Sequence, residues 1–173
     1  MSGMVINQID NANVYINGNS FLGKAKSVKL PEFDVEMVEH KNLGLVGTIK
    51  LPTGVNALEG EIVWDGFYPE VAALANNPYK AAQLMVRADV SVYNAAGRAA
   101  EVPLVMLLNC NFNKVPLGEY KPKEAAEFSM TYQATMIKQS IDGKEVLYFD
   151  AFTNKWRVAG QDVLETYRKN VGQ

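Results

Sequence analysis

Chemistry needs a nucleophile, a base or a set of ligands, and this chain offers few of each. His40 is its one histidine, so a Ser-His-Asp relay or a multi-histidine metal site would have to be built around it. It closes an alternating segment beside a glycine-rich stretch, where a solvated surface imidazole is the expected role. Cys110 is the one cysteine. It lies between Asn109 and Asn111 in an apolar run with no basic neighbour to lower its pKa, which marks an inert thiol. Glu32, Asp34, Glu36 and Glu39 suggest paired carboxylates or a cation site. They lack the spacing of a calcium loop and read as the wet face of a strand. Gly44-Leu45-Val46-Gly47 has no Gly-Lys-Ser/Thr to follow and joins no strand to a helix, so it is not a phosphate loop. Lys24, Lys26 and Lys29 are spaced as charges that protect a sheet edge. These residues point away from an enzyme, and no cofactor or metal is expected.

The bulk composition narrows the partners. The 173 residues suffice for one domain with a proper core, taken as residues 1–173. The formal net charge is −2, and it is spread evenly: Met1 to Val86 holds 9 acids and 6 bases, Arg87 to Gln173 holds 10 acids and 11 bases. Neither half is the basic platform that grips phosphates. One cysteine allows no intrachain disulfide, which suits a reducing compartment. No segment reads as a signal peptide or a membrane span, so folding in a cytoplasm, without a membrane partner, is expected.

The elements that must position these residues repeat with period two. Asn17-Gly18 separates Asn13–Ile16 from Asn19–Leu22, as a type I′ hairpin requires. Strands follow at 25–30, 33–39, 57–64, 83–93, 99–112 and 124–139, and Asp142-Gly143 turns the chain into a last one at 145–150. Pro103 suggests an edge or a bulge. Helical spacing appears at 68–76 and, opened by Gly160-Gln161-Asp162, at 161–171, with Leu164 and Tyr167 turned inward. The predicted fold is mainly β: an antiparallel sandwich or barrel with a short mid-chain helix and a short C-terminal helix. The long strands with polar second faces are expected to extend beyond the core and pair with another copy.

One stretch resists this pattern. Residues 41–55 hold Gly44, Gly47, Pro52 and Gly54, yet also Leu43, Leu45, Val46, Ile49 and Leu51. Connections of that length without regular structure are commonly functional. As a two-legged arm it would reach roughly 20 Å from the body. Its apolar residues have no local core to cover, which makes them candidates for an interface.

Three segments together resemble the major tail tube proteins of P2-like contractile phages, whose relatives include R-type pyocin tubes. They are Asn13-Val14-Tyr15-Ile16-Asn17-Gly18-Asn19-Ser20-Phe21-Leu22-Gly23, running on to Leu30-Pro31; Ile141-Asp142-Gly143-Lys144-Glu145-Val146; and Gly160-Gln161-Asp162-Val163-Leu164-Glu165, followed by Arg168-Lys169-Asn170-Val171-Gly172. Order, spacing and length match over nearly the whole chain, although residues 65–123 keep only the strand pattern.

The resemblance implies a structural virion protein of the tail tube, assembled in the bacterial cytoplasm. It would form stacked hexameric rings whose strands join into a ring-shaped β-barrel. Implied partners are other copies of itself, the sheath protein, a tape-measure protein, and baseplate and tail terminator proteins, with DNA passing through unbound during ejection. The 41–55 loop would contact the next ring through Leu43, Leu45, Val46, Ile49 and Leu51. A conduit should avoid basic clusters. Two faces qualify for the lumen: Ser129, Thr131, Gln133 and Thr135, or Arg87 and Asp89 with Ser91. The alternatives are the tube of a DNA-free, pyocin-like particle and, from another class, a monomeric β-barrel that encloses a small ligand.

Overall fold

The computed structural model describes residues 3–173. Its strands are β1 (Ile6–Ile16), β2 (Asn19–Ser20), β3 (Ala25–Lys29), β4 (Val35–His40), β5 (Ile49–Val55), β6 (Leu58–Trp64), β7 (Ala82–Asn94), β8 (Gly97–Lys114), β9 (Phe128–Ile141), β10 (Lys144–Asp150), β11 (Lys155–Val158) and β12 (Gln161–Asp162). Helix α1 (Pro69–Ala75) follows β6, and α2 (Glu165–Asn170) follows β12.

Asn17 and Gly18 both take positive φ, 49° and 83°, and Asp142 and Gly143 take 49° and 74°. These are the left-handed pairs that turn a two-residue hairpin with the right twist. Such turns join β1 to β2 and β9 to β10 in an antiparallel sheet ordered β12-β11-β10-β9-β8-β7-β1-β2. The long strand β9 has two partners along one edge. Its first half pairs with β6, from Leu58↔Ala134 to Trp64↔Phe128, and its second half pairs with β10. Strand β3 adds to β6.

The sheet therefore curls over itself, and the alternating residues of β1, β6, β7, β8 and β9 meet inside. Ile16, Leu58, Ile62, Trp64, Leu84, Leu108 and Tyr132 fill that interior completely. The curl does not close by hydrogen bonds. The outer edges of β1 and β3 face a cleft of 330 Å³ lined by residues 9–14 and 25–28. Along it, the N–H groups of Ala12 and Val14 donate to the side-chain oxygens of Asn11 and Asn13 at 2.8 and 2.9 Å, which blunts the edge. The fold is thus an open, half-closed barrel.

Two devices let long strands bend around this core. Gly60 lies across from Tyr132, whose ring crosses where a Cβ would stand; an added Cβ would sit 2.3 Å from the ring. The Tyr132 hydroxyl reaches past it to donate to the Lys29 carbonyl at 3.1 Å, tying β9 to β3 across β6. Thr135 is the extra residue of a bulge, since Cys110 pairs with Ala134 and Asn109 with Met136. The inward residues of β9 switch there from Phe128, Met130, Tyr132 and Ala134 to Ile137. This corrects the polar face expected to run without a break from Ser129 through Thr135. Pro103 lies just past the last β8–β9 pair, Leu104↔Ile141, and only its carbonyl is engaged there, by the Asp142 N–H at 2.9 Å. Its missing donor costs nothing at that edge.

Two further expectations change. The C-terminal helix expected over 161–171 begins only at Glu165, because Gln161 and Asp162 pair with Val158 and Arg157 as β12. The helix buries no residue, and Tyr167, expected inward, is half exposed. The second concerns the 41–55 segment, whose structure defines the site.

Candidate functional site

Residues 49–55 are not an irregular loop. They form β5, which pairs with β4 from Val35↔Val55 to His40↔Ile49, and only 41–48 make a turn at the tip. Pro52 and Gly54 argue against a strand, yet in a two-stranded ribbon both strands are edges, so a residue without a donor is tolerated. A bulge at Thr53 absorbs the irregularity, and the Thr53 hydroxyl donates to the Glu36 carbonyl at 3.2 Å. The ribbon pairs with no other strand among the described residues. Six residues of β4 at about 3.3 Å each carry its tip about 20 Å outward.

The ribbon shows apolar residues to solvent. Leu43 and Val46 at the tip are fully exposed, and Leu45, Ile49, Leu51, Met37 and Val38 are about half exposed. An isolated two-stranded hairpin is at best marginally stable in water. Its root is fixed to the body, however. The Asn56 N–H donates to the Asp34 carbonyl at 2.9 Å, and the Asn56 amide donates to the Asp34 carboxylate at 2.7 Å. Just before this pair, Phe33 packs edge-on against Phe149 and Trp156. Sequence reading missed these residues, because nothing in local periodicity joins position 33 to positions 149 and 156.

The two candidate lumen faces prove to be one. Gln133 lies opposite Asn111, and Arg87 opposite Val105. Positions 105 to 111 of β8 alternate without interruption against β7, so both sets stand on the outer face of the same sheet. Arg87 and Asp89 are exposed, whereas Ser129, Thr131 and Gln133 are half buried. Thr135 falls at the bulge and leaves the series, and Ser91 is buried, its hydroxyl donating to Asp10 at 2.8 Å. Nor is the β9 end of this face uncharged. Glu59 and Glu61 of β6 stand directly opposite Gln133 and Thr131, and the Ser129 hydroxyl donates to Glu61.

None of the residues singled out for chemistry assembles a reactive centre. Burial pushes the Cys110 thiol up to about 12, so it stays protonated. His40 ends β4 on the ribbon, opposite Ile49. Asp34 is spent on Asn56, and with Glu32, Glu59, Glu61, Lys29 and Lys114 it borders an open cleft of 510 Å³. Among the described residues, no group of three or more His, Cys, Asp or Glu could hold a metal ion. Among the described residues, the inward side chains of β1, β6, β7, β8 and β9 pack into one core cluster.

The described residues form a curled antiparallel sheet body from which a self-paired apolar ribbon projects. The chain belongs to the phage tail tube protein FII family, whose profile matches residues 6–172. It is a structural tail tube protein, and not an enzyme, and so a component of the phage particle. It is 24% identical over 161 residues to the tail tube protein of Escherichia phage P2, covering 92% of this chain and 94% of that protein. Its fold is similar to a chain of the sheath-tube complex of an extracellular contractile injection system, with a TM-score of 0.56, 14% identity, and coverage of 75% of this chain and 87% of the other. It also resembles a chain of the tube-terminating cap of the anti-feeding prophage, with a TM-score of 0.54, 15% identity, and coverage of 75% and 87%.

Proposed function

We propose that this chain forms hexameric rings that stack into the inner tube of a contractile tail, assembled in the bacterial cytoplasm, and that DNA passes through the lumen during ejection. The observation that carries the reading is the β4–β5 ribbon, which leaves the body with Leu43 and Val46 uncovered. In the stack it lies against a second copy in the next ring, together with Leu45, Ile49 and Leu51. The outer face of β6, β9, β8 and β7 lines the lumen. There Glu59 and Glu61 beside Thr131 and Gln133 repel phosphates, while Arg87 and Asp89 balance each other. Such a wall does not retain DNA by counterion release. A sheath surrounds the tube, a terminator and a baseplate close its ends, and a tape-measure protein occupies it during assembly. The similar folds in a sheath-tube complex and in a sheath/tube terminator support the sheath and the terminator as partners.

Magnitudes favour growth from a template. Burying Leu43 and Val46 is worth about 1.5–3 kcal/mol each, and association costs about 4–15 kcal/mol. One ribbon is therefore marginal for holding a free subunit. A ring that presents several ribbons can hold it, because the later contacts become intramolecular.

Negative-stain microscopy of concentrated protein incubated with tube seeds tests the reading. Hollow tubes of uniform diameter are expected from the unaltered chain. A Leu43→Asp, Val46→Asp variant should melt as the unaltered chain does, since its changes are fully exposed, and should fail to stack. A chain that stays monomeric in the presence of seeds excludes the reading and favours the ligand-binding barrel.

A further inference from the structure

The ribbon's two locks do different work. The Asp34–Asn56 pair ties one leg to the other at the root. It holds the hairpin together at its base. The body orients the ribbon through Val55 of β5, which packs against the core, and through Phe33, one residue before Asp34. Its ring centroid lies 5.6 Å from Phe149 and 5.3 Å from Trp156, at interplanar angles of 73° and 63°. Phe149 and Trp156 are themselves cross-strand partners at 6.4 Å and 87°. All three contacts are edge-to-face, the arrangement ring quadrupoles favour, and one that a small rotation of Phe33 would break.

The far side of this clasp is held firmly. Phe149 pairs with Ile137 of the core. On the opposite face of β10–β11, Arg157 makes two bonds to Glu145, at 2.9 and 3.2 Å, and stacks over Tyr148. The Val163 N–H donates to the Trp156 carbonyl at 2.9 Å, and Arg168 binds the Asn154 carbonyl and Asp162. The C-terminal strands are thus a braced platform against which a single aromatic ring is seated.

We propose that Phe33, Phe149 and Trp156 are positioning residues for ring stacking: the C-terminal platform presets the angle of the ribbon, and so the rotation between successive rings. The proposal rests on the reading of the ribbon as the ring-to-ring contact. A ribbon that swings freely spends only part of its time at the binding angle, and its apparent affinity falls by that fraction. The clasp removes this loss before the second copy arrives.

Seeded tube elongation by Phe33→Ala, Phe33→Tyr and the Leu43→Asp, Val46→Asp variant tests the proposal, read as the critical subunit concentration and, by electron microscopy, as the ring-to-ring rotation. Phe33→Ala is expected to raise the critical concentration on the order of tenfold and to broaden the rotation, and Phe33→Tyr to restore both. Unaltered concentration and rotation in Phe33→Ala would overturn the clasp, while failure of the tip variant would still uphold the ribbon. Normal elongation by the tip variant would instead remove the ribbon reading itself. A second measurement does not depend on Phe33→Ala folding. With 2 tryptophans in the chain, Trp64→Phe leaves Trp156 as the sole tryptophan, excited selectively over the tyrosines. Its emission should be the same in free subunits and in tubes, and a shift on elongation would show that the angle is not preset.

Discussion

Gly60 and Tyr132 show how much a single side chain decides here. A glycine in a strand interior costs conformational entropy, yet any other residue at 60 would meet the Tyr132 ring. Burial raises the Tyr132 hydroxyl above its usual range, so it remains a donor to the Lys29 carbonyl. Gly60→Ala should therefore lower stability by about 1–3 kcal/mol or more, as overpacked cores do. Denaturant unfolding measures this directly, and a neutral result would mean the ring swings aside easily. By contrast, Thr53, Pro52 and Gly54 look like flaws in a strand and prove harmless, because their strand has one neighbour only.

Among the elements, the C-terminal strands and α2 depend on ion pairs more than on burial. The Arg157 guanidinium holds the Glu145 carboxyl below its ordinary range, and Arg168, helped by the Leu164 N–H, does the same for Asp162. Both groups have folded pKa values depressed below the unfolded ones. Their contribution is complete above the usual carboxylate range and is lost as pH falls through the folded values. Below about pH 4, amide exchange in β11, β12 and α2 should accelerate before exchange in β7 and β8, whose contacts are apolar. Simultaneous loss of protection everywhere would contradict this. If the clasp sets the ribbon, Trp156 should report the same transition.

For the whole molecule, the ribbon and the body are unequal in stability. The body's strands share a continuous core, whereas β4 and β5 pair only with each other and reach that core only at their root, through Val55. Local opening concentrates in elements with few buried contacts. A protease should therefore cut free subunits first within 41–48, where Lys41 offers a trypsin site, and cutting should slow by at least about tenfold in assembled tubes as the tip is covered. Equal rates in both states would show that stacking leaves the tip exposed.

What residues alone determined was everything governed by neighbours in the chain. Period-two alternation located most strands, but not β5, β11 or β12. Asn17-Gly18 and Asp142-Gly143 set two hairpins. The apolar content of 41–55 marked a segment without a local core, and Leu43, Leu45, Val46, Ile49 and Leu51 are exposed, though Pro52 and Gly54 concealed that half of it is strand. Pairing between distant strands decided the rest. It brought Glu59 and Glu61 beside a face that is uncharged within β9 itself, and it joined that face to Arg87 and Asp89. A single inserted residue, Thr135, reversed the alternation that local pattern extends indefinitely. Phe33, Phe149 and Trp156 meet only because β10 follows β6 along one edge of β9, a consequence of topology that local sequence periodicity does not encode.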